Sequence, residues 1–277
     1  MPVDAKRIQR IREAMTEHHW DGLICRLPEN VLFLSGWWPL SGTTWIVMSR
    51  EGQSCLIIPA CETAEAEADG ITDFAAYEWA HLKAPDVGQQ VRDSIKSICT
   101  RFGIAKGKIG IEENFEGIAP PLNLGEPSVP VRASRELVMQ ALSGAKLEDA
   151  TEFINGMRLC KTPAEVEKFR IANEIAGFGL AWFRENLRVG MTEIELAAQV
   201  NSEIAIRGSG YKGMRSARAF AQVSSGAGTE RGWRPFEITT NRPFAKGDIV
   251  LLELGVVADG YWADNTRVLV AGGANPK

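Results

Sequence analysis

The sequence predicts an α/β protein in two parts, a helix-covered sheet over residues 1–150 and a second α+β unit over residues 151–277. Three observations carry this reading. Helical and strand-like patterns alternate through the first half, as in a sheet covered by helices. Two helix starts with capping chemistry open the second half. The chain then closes on two long apolar runs joined by Asp259-Gly260, a strong two-residue hairpin signal.

The elements follow in order. A helix over residues 4–19 presents Ile8, Ile11 and Met15 on one face. A strand is expected at Gly22–Cys25 and another around Val31–Leu34. Trp45–Ser49 and Ser54–Pro59 flank a short turn containing Gly52 and read as a hairpin. A helix near Val87–Arg101 precedes a short strand at Lys108–Ile111. The Pro- and Gly-bearing stretch 117–130 reads as loop, and helical material follows to about Gly144. The unit boundary is placed between residues 145 and 158. Thr162-Pro163-Ala164-Glu165 then starts a helix running to about Asn186. Thr162 can cap it, Pro163 has no N–H to lose at the first position, and Glu165 can reach back to the cap amide. Thr192-Glu193-Ile194-Glu195 repeats the pattern, and its helix ends at Gly208. Strands are expected at Ala217–Ser224, near Phe236–Thr239, at Ile249–Val257 and at Tyr261–Val270.

Composition excludes several classes of function. The 277 residues are 45% hydrophobic and 24% charged, values of a globular chain with a proper core. A net charge of -4 leaves no excess of Lys and Arg to displace phosphate counterions, which argues against nucleic acid as a partner. The five cysteines (Cys25, Cys55, Cys61, Cys99, Cys160) contain no Cys-x-x-Cys pair and fit reduced thiols in a cytoplasmic protein. The opening residues lack the apolar stretch of a signal peptide. The apolar segment Val31–Met48 is broken by Gly36, Pro39 and Gly42, so no membrane span is expected.

The terminal hairpin carries the chemistry. Ile249–Val257 is a nearly continuous apolar run, as in a buried strand, and Glu253 interrupts it. A buried lone carboxylate is costly and calls for a cation, a donor cluster or a metal. With Asp259-Gly260 as the turn, Glu253 faces Thr266, and Asp264 lies two residues along on the same face. The two carboxylates are then diagonal neighbours that repel unless a cation sits between them, and hard oxygen ligands suit Mn²⁺, Mg²⁺ or Zn²⁺. The alternative is an ion pair between Glu253 and an arginine, with Arg267 nearest in sequence. A three-residue loop would place the carboxylates on opposite faces.

The stretch Gly247-Asp248-Ile249-Val250-Leu251-Leu252-Glu253-Leu254-Gly255, followed by Gly260-Tyr261-Trp262-Ala263-Asp264-Asn265-Thr266-Arg267, resembles the G-D-hydrophobic-D-x-G…G-Y-x-x-D-x-T-R signature of the creatinase/Xaa-Pro aminopeptidase family (peptidase M24, the pita-bread fold). Arg158–Glu167 resembles the opening of that family's catalytic domain, and Glu29–Gly36 a motif of its amino-terminal domain. The resemblance implies a creatinase-like α/β domain over 1–150 and an incomplete pita-bread domain over 151–277. It implies Glu253 and Asp264 as metal ligands, with Glu253 standing where the family has Asp. The implied cofactor is a divalent metal, Mn²⁺ first, with Zn²⁺ or Co²⁺ as alternatives. The implied activity is hydrolysis of peptide or small amide substrates of the aminopeptidase or prolidase type, by a homodimer.

Two departures bear on that activity. The three histidines (His18, His19, His81) all lie in the first half, and Phe236 stands where the family's catalytic histidine falls. The residues after Arg267 contain no His, Asp or Glu, so the remaining ligands of a dinuclear centre are not supplied there. A non-catalytic module holding peptides or a partner protein is therefore the main alternative, with a creatinase-like C–N hydrolase ranked third. Trp37 and Trp38 read as either a substrate-pocket loop or a packed aromatic corner. Ser225 in the Gly-rich loop lacks a candidate base, and Glu112-Glu113 read as a solvated strand end.

Overall fold

The computed structural model describes residues 4–41, 43–113, 131–226 and 238–273. It divides into two compact units, residues 1–162 and 163–277.

The first unit is a mixed sheet between two helical layers. Its strands are β1 (Gly22–Cys25), β2 (Trp45–Ser49), β3 (Ser54–Pro59), β4 (Phe74–Tyr77), β5 (Lys108–Ile111) and β6 (Lys146–Asp149), in the order β4-β3-β2-β1-β5-β6. The β2–β3 hairpin is antiparallel, with Gly52 at φ 91° in its turn. Alternating side chains of the sheet feed two cores. Leu23, Cys25, Ile46 and Met48 meet α1 (Ala5–Glu17), α2 (Pro28–Ser35), α3 (Thr63–Ala68) and α6 (Thr151–Leu159). Ile24, Trp45 and Val47 on the other face meet α4 (Val87–Arg101) and α5 (Val131–Ala141). Ile154 on α6 is buried among the α1 and α2 side chains, so α6 packs within the first unit.

One expected strand is a helix. Val31–Leu34 lies inside α2, which Pro28 opens at its first turn and Gly36 closes in the left-handed region at φ 78°. Every residue of α2 except Glu29 is buried, so the segment shows no polar face and its apolar run reads equally as strand or helix. The short strands β4 and β6 and helix α3 were not expected from sequence. The 117–130 loop expectation lies outside the described residues. Trp37 is fully enclosed in the core, the packed-corner alternative for that residue.

The second unit lays two helices, α7 (Pro163–Asn186) and α8 (Glu193–Gly208), on one face of an antiparallel sheet. Its strands are β7 (Ala217–Gly226), β8 (Ile249–Ala258) and β9 (Tyr261–Val270), in that order. The expected capping box opens α8: Thr192 N–H donates to Glu195 Oε2 at 2.7 Å, and Glu195 N–H to Thr192 Oγ1 at 3.3 Å. Val250, Leu252, Leu254 and Val256 of β8 point to the helices with Ile175, Val200 and Ile204. Burying such a side chain stabilises by about 1.5–3 kcal/mol, which orients the sheet and leaves the odd-numbered residues of β8 on its other face. The strand expected near Phe236–Thr239 falls partly outside the described residues, and Ile238–Thr240 have no regular structure.

Candidate metal centre

The Asp259-Gly260 turn has the geometry the sequence implied, with φ 45° and 82° at its two central residues. Glu253 pairs with Thr266 and Gly255 with Asp264. On the far side of β8, Gln222 pairs with Glu253, Phe220 with Gly255 and Ser224 with Leu251. The face away from the helices therefore carries the row Gln222–Glu253–Thr266, with Phe220–Gly255–Asp264 on one side of it and Ser224–Leu251–Val268 on the other.

Glu253 is 4% exposed. Thr266 Oγ1 donates a short hydrogen bond to Glu253 Oε2. Asp264, itself exposed, lies within hydrogen-bonding reach of the same carboxyl. Burial, reinforced by the Asp264 charge, pushes the Glu253 carboxyl above its usual range, and the Thr266 hydroxyl opposes that shift. Arg267 is not its partner. It lies opposite Leu252, so it leaves the strand on the other face, and its guanidinium donates to the Thr266 carbonyl at 2.7 Å.

Two neutral oxygens share this face. Ser224 is 2% exposed, and neither its Oγ nor the buried Oε1 of Gln222 has a hydrogen-bond partner. Sequence reasoning did not single out Gln222, although polar residues at 222 and 224, two apart and so on one face of the strand, were a usable signal. Gly255 lets Phe220 lie across the sheet, since a Cβ there would come within 2.0 Å of the ring. Phe220 and Trp262 pack with ring centroids 5.6 Å apart, an aromatic wall beside Asp264.

Ser225 points to the opposite face. Its hydroxyl donates to Glu193 Oε1 at 2.7 Å and accepts from Arg242 at 2.6 Å. A carboxylate partner is thus present, contrary to the sequence reading, but Ser225 is 1% and Glu193 0% exposed, so the hydroxyl is closed to substrate. Arg242 also meets Asp248 Oδ2 at 2.6 Å and holds that carboxyl below its ordinary value. Thr240 donates to Glu193 through both its N–H and its hydroxyl. This network fixes the segment entering β8 against the start of α8.

Glu112 is another correction. It is 7% exposed rather than solvated, and it accepts hydrogen bonds from the Arg26 and Leu27 amides and from Asn30 Nδ2. The histidines stay in the first unit. His18 stacks on Trp20 at 4.7 Å, and exposed His81 pairs with Glu78 at 3.3 Å. Phe236 lies outside the described residues.

Residues 7–160 match the model of the creatinase/prolidase N-terminal domain, and residues 167–277 that of metallopeptidase family M24. The chain belongs to the creatinase/prolidase family of M24 metallopeptidases. It is 24% identical over 277 residues to the Xaa-Pro dipeptidase of Pyrococcus horikoshii, covering 100% of this chain and 67% of that protein. The Xaa-Pro dipeptidase of Pyrococcus furiosus is 25% identical over 272 residues, covering 98% and 66%. The X-Pro aminopeptidase structure from Thermotoga maritima superposes with a TM-score of 0.69 at 21% identity, over 97% of this chain and 66% of that one. The chain thus spans about two thirds of the length of these relatives. No described helix is long and apolar enough to cross a membrane.

The donor set suits a hard divalent cation: a buried carboxylate, a second carboxylate beside it and two unpartnered neutral oxygens on one face. Among the described residues, no group of three or more His, Cys, Asp or Glu side chains could hold a metal ion. That is too few charged donors for a dinuclear centre.

Proposed function

We propose that this chain carries the sheet half of a metal-dependent hydrolase site of the Xaa-Pro aminopeptidase or prolidase type, acting on peptide or small amide bonds. The observation that supports it most is the Glu253–Asp264 pair, aligned on one face by the Asp259-Gly260 register. Glu253 and Asp264 would hold a divalent cation, Mn²⁺ first and Zn²⁺ or Co²⁺ as alternatives. When bound there, the cation supplies Lewis acidity toward an amide carbonyl. Thr266 fixes one oxygen of Glu253, which leaves the other for the ligand. Phe220 and Trp262 form an apolar wall beside Asp264, suited to a proline ring or another apolar side chain and able to exclude water from that side.

One observation favours a second reading, a non-catalytic peptide- or protein-binding module. All three histidines lie in the first unit, and the described face of the β7–β9 sheet has no imidazole to move a proton. Elemental mass spectrometry after Mn²⁺ or Zn²⁺ loading separates the two. The hydrolase reading expects stoichiometric metal in the purified protein, its loss in both Glu253→Ala and Asp264→Ala, and cleavage of an Xaa-Pro dipeptide. Absence of metal in the unaltered protein overturns it in favour of the binding module.

A further inference from the structure

We propose that Gln222 is a third metal ligand, so that a single cation takes one oxygen donor from each strand of the sheet: Gln222 Oε1 from β7, Glu253 from β8 and Asp264 from β9. This rests on the metal reading above and deepens it.

Gln222 lacks the hydrogen bond its position would ordinarily give it. Its register partner is Glu253, and directly opposed side chains on neighbouring strands are in contact range. A glutamine beside a buried carboxylate would ordinarily turn its NH₂ toward it and donate. Here the amide makes no hydrogen bond to Glu253, and its buried oxygen has no partner. Glu253 instead takes its one side-chain donor, Thr266, from the opposite strand. The centre of the face thus sets an unpartnered amide oxygen beside two carboxylates, and among the described residues their one side-chain donor is the Thr266 hydroxyl. Acceptors facing one another are stable only around a proton or a cation.

The Ser224 hydroxyl is an independent sign that the face is built around something. It is 2% exposed, stands diagonally from Glu253 on the same face, and is also without a partner. An amide oxygen, two carboxylates and a hydroxyl are the donor types that Mn²⁺ and Mg²⁺ prefer over softer nitrogen or sulfur sets. The neutral donor also fits the local charge. Two carboxylates balance one divalent cation, so a neutral third donor leaves the occupied site without excess charge.

The test is Mn²⁺ titration of the full chain, read by loss of the free-ion EPR signal, with circular dichroism to confirm folding. Gln222→Leu keeps the bulk of the side chain and is expected to weaken Mn²⁺ binding at least tenfold, and Ser224→Ala by less. Gln222→Glu changes the effect in the other direction. It supplies a charged donor at the same reach and is expected to bind Mn²⁺ more tightly than the parent, which keeps the proposal falsifiable where Gln222→Leu fails to fold. Unchanged affinity in both Gln222 variants, with binding still lost in Glu253→Ala, overturns the Gln222 assignment and leaves the two-carboxylate reading standing. A parent chain that binds no Mn²⁺ overturns both.

Discussion

Glu112 in the first unit and Glu253 in the second are both buried carboxylates on a strand or at its end, yet their surroundings are opposite. Glu112 receives three donors, two backbone amides and the Asn30 side chain. Among the described residues Glu253 receives one, from Thr266, and it has a second carboxylate within reach and Gln222 as its register partner on β7. Burial pushes both carboxyls up, but hydrogen bonds pull Glu112 back from three sides. The difference separates a carboxylate satisfied by the fold from one that, in the proposed site, would hold a cation. Glu112 is saturated and ties the β1–α2 connection to the end of β5, whereas Glu253 is undersupplied with protons.

Substitution should expose that contrast. The largest effect belongs to Glu112→Ala, which strands three buried donors and is expected to cost about 3–5 kcal/mol in urea unfolding. Mn²⁺ affinity of the folded fraction should stay unchanged. Thr266→Val removes the lone donor to Glu253 at nearly constant volume and is expected to cost about 1–2 kcal/mol. An equal cost for the two variants would erase the distinction drawn here.

Glu253→Gln should give the smallest change and the opposite sign. The folded carboxyl holds its proton to a higher pH than the unfolded one, so the folded state binds more protons between the two values. Stability of the metal-free protein therefore falls as pH rises through that window, from the unfolded value near ~4.3 upward. Glutamine removes that slope. Thermal melts in chelator should show the variant above the parent at pH 7, with the gap closing as pH drops below the unfolded value.

The sequence revealed the hairpin well because its register depends on one local feature, the Asp-Gly turn, and on an apolar face that permits no one-residue slip. The two helix starts were equally readable, since the Thr192–Glu195 capping box and Pro163 at the first helical position are local signals. Val31–Leu34 was misread because a fully buried segment has no polar residues to set its period. The four-residue strands β4 and β6 depend on parallel neighbours far away in the chain rather than on their own pattern. The shared face of Glu253 and Asp264 could be read from the hairpin alone, but the place of Gln222 beside them could not, because it arises only when β7 is laid beside β8. Glu112 was misjudged for the same reason, as its donors lie more than eighty residues earlier.

The hairpin turn is anchored by its own side chain. Asp259 accepts from the amides of Arg215 at 2.9 Å and Ser216 at 3.2 Å, where the chain enters β7. All three strands are thus aligned from one corner by a residue remote from every proposed ligand. Substitutions in the middle of the sheet, such as at position 253, then leave the register of the three strands in place. A sheet indexed in this way can change the chemistry of its central face and still fold as before.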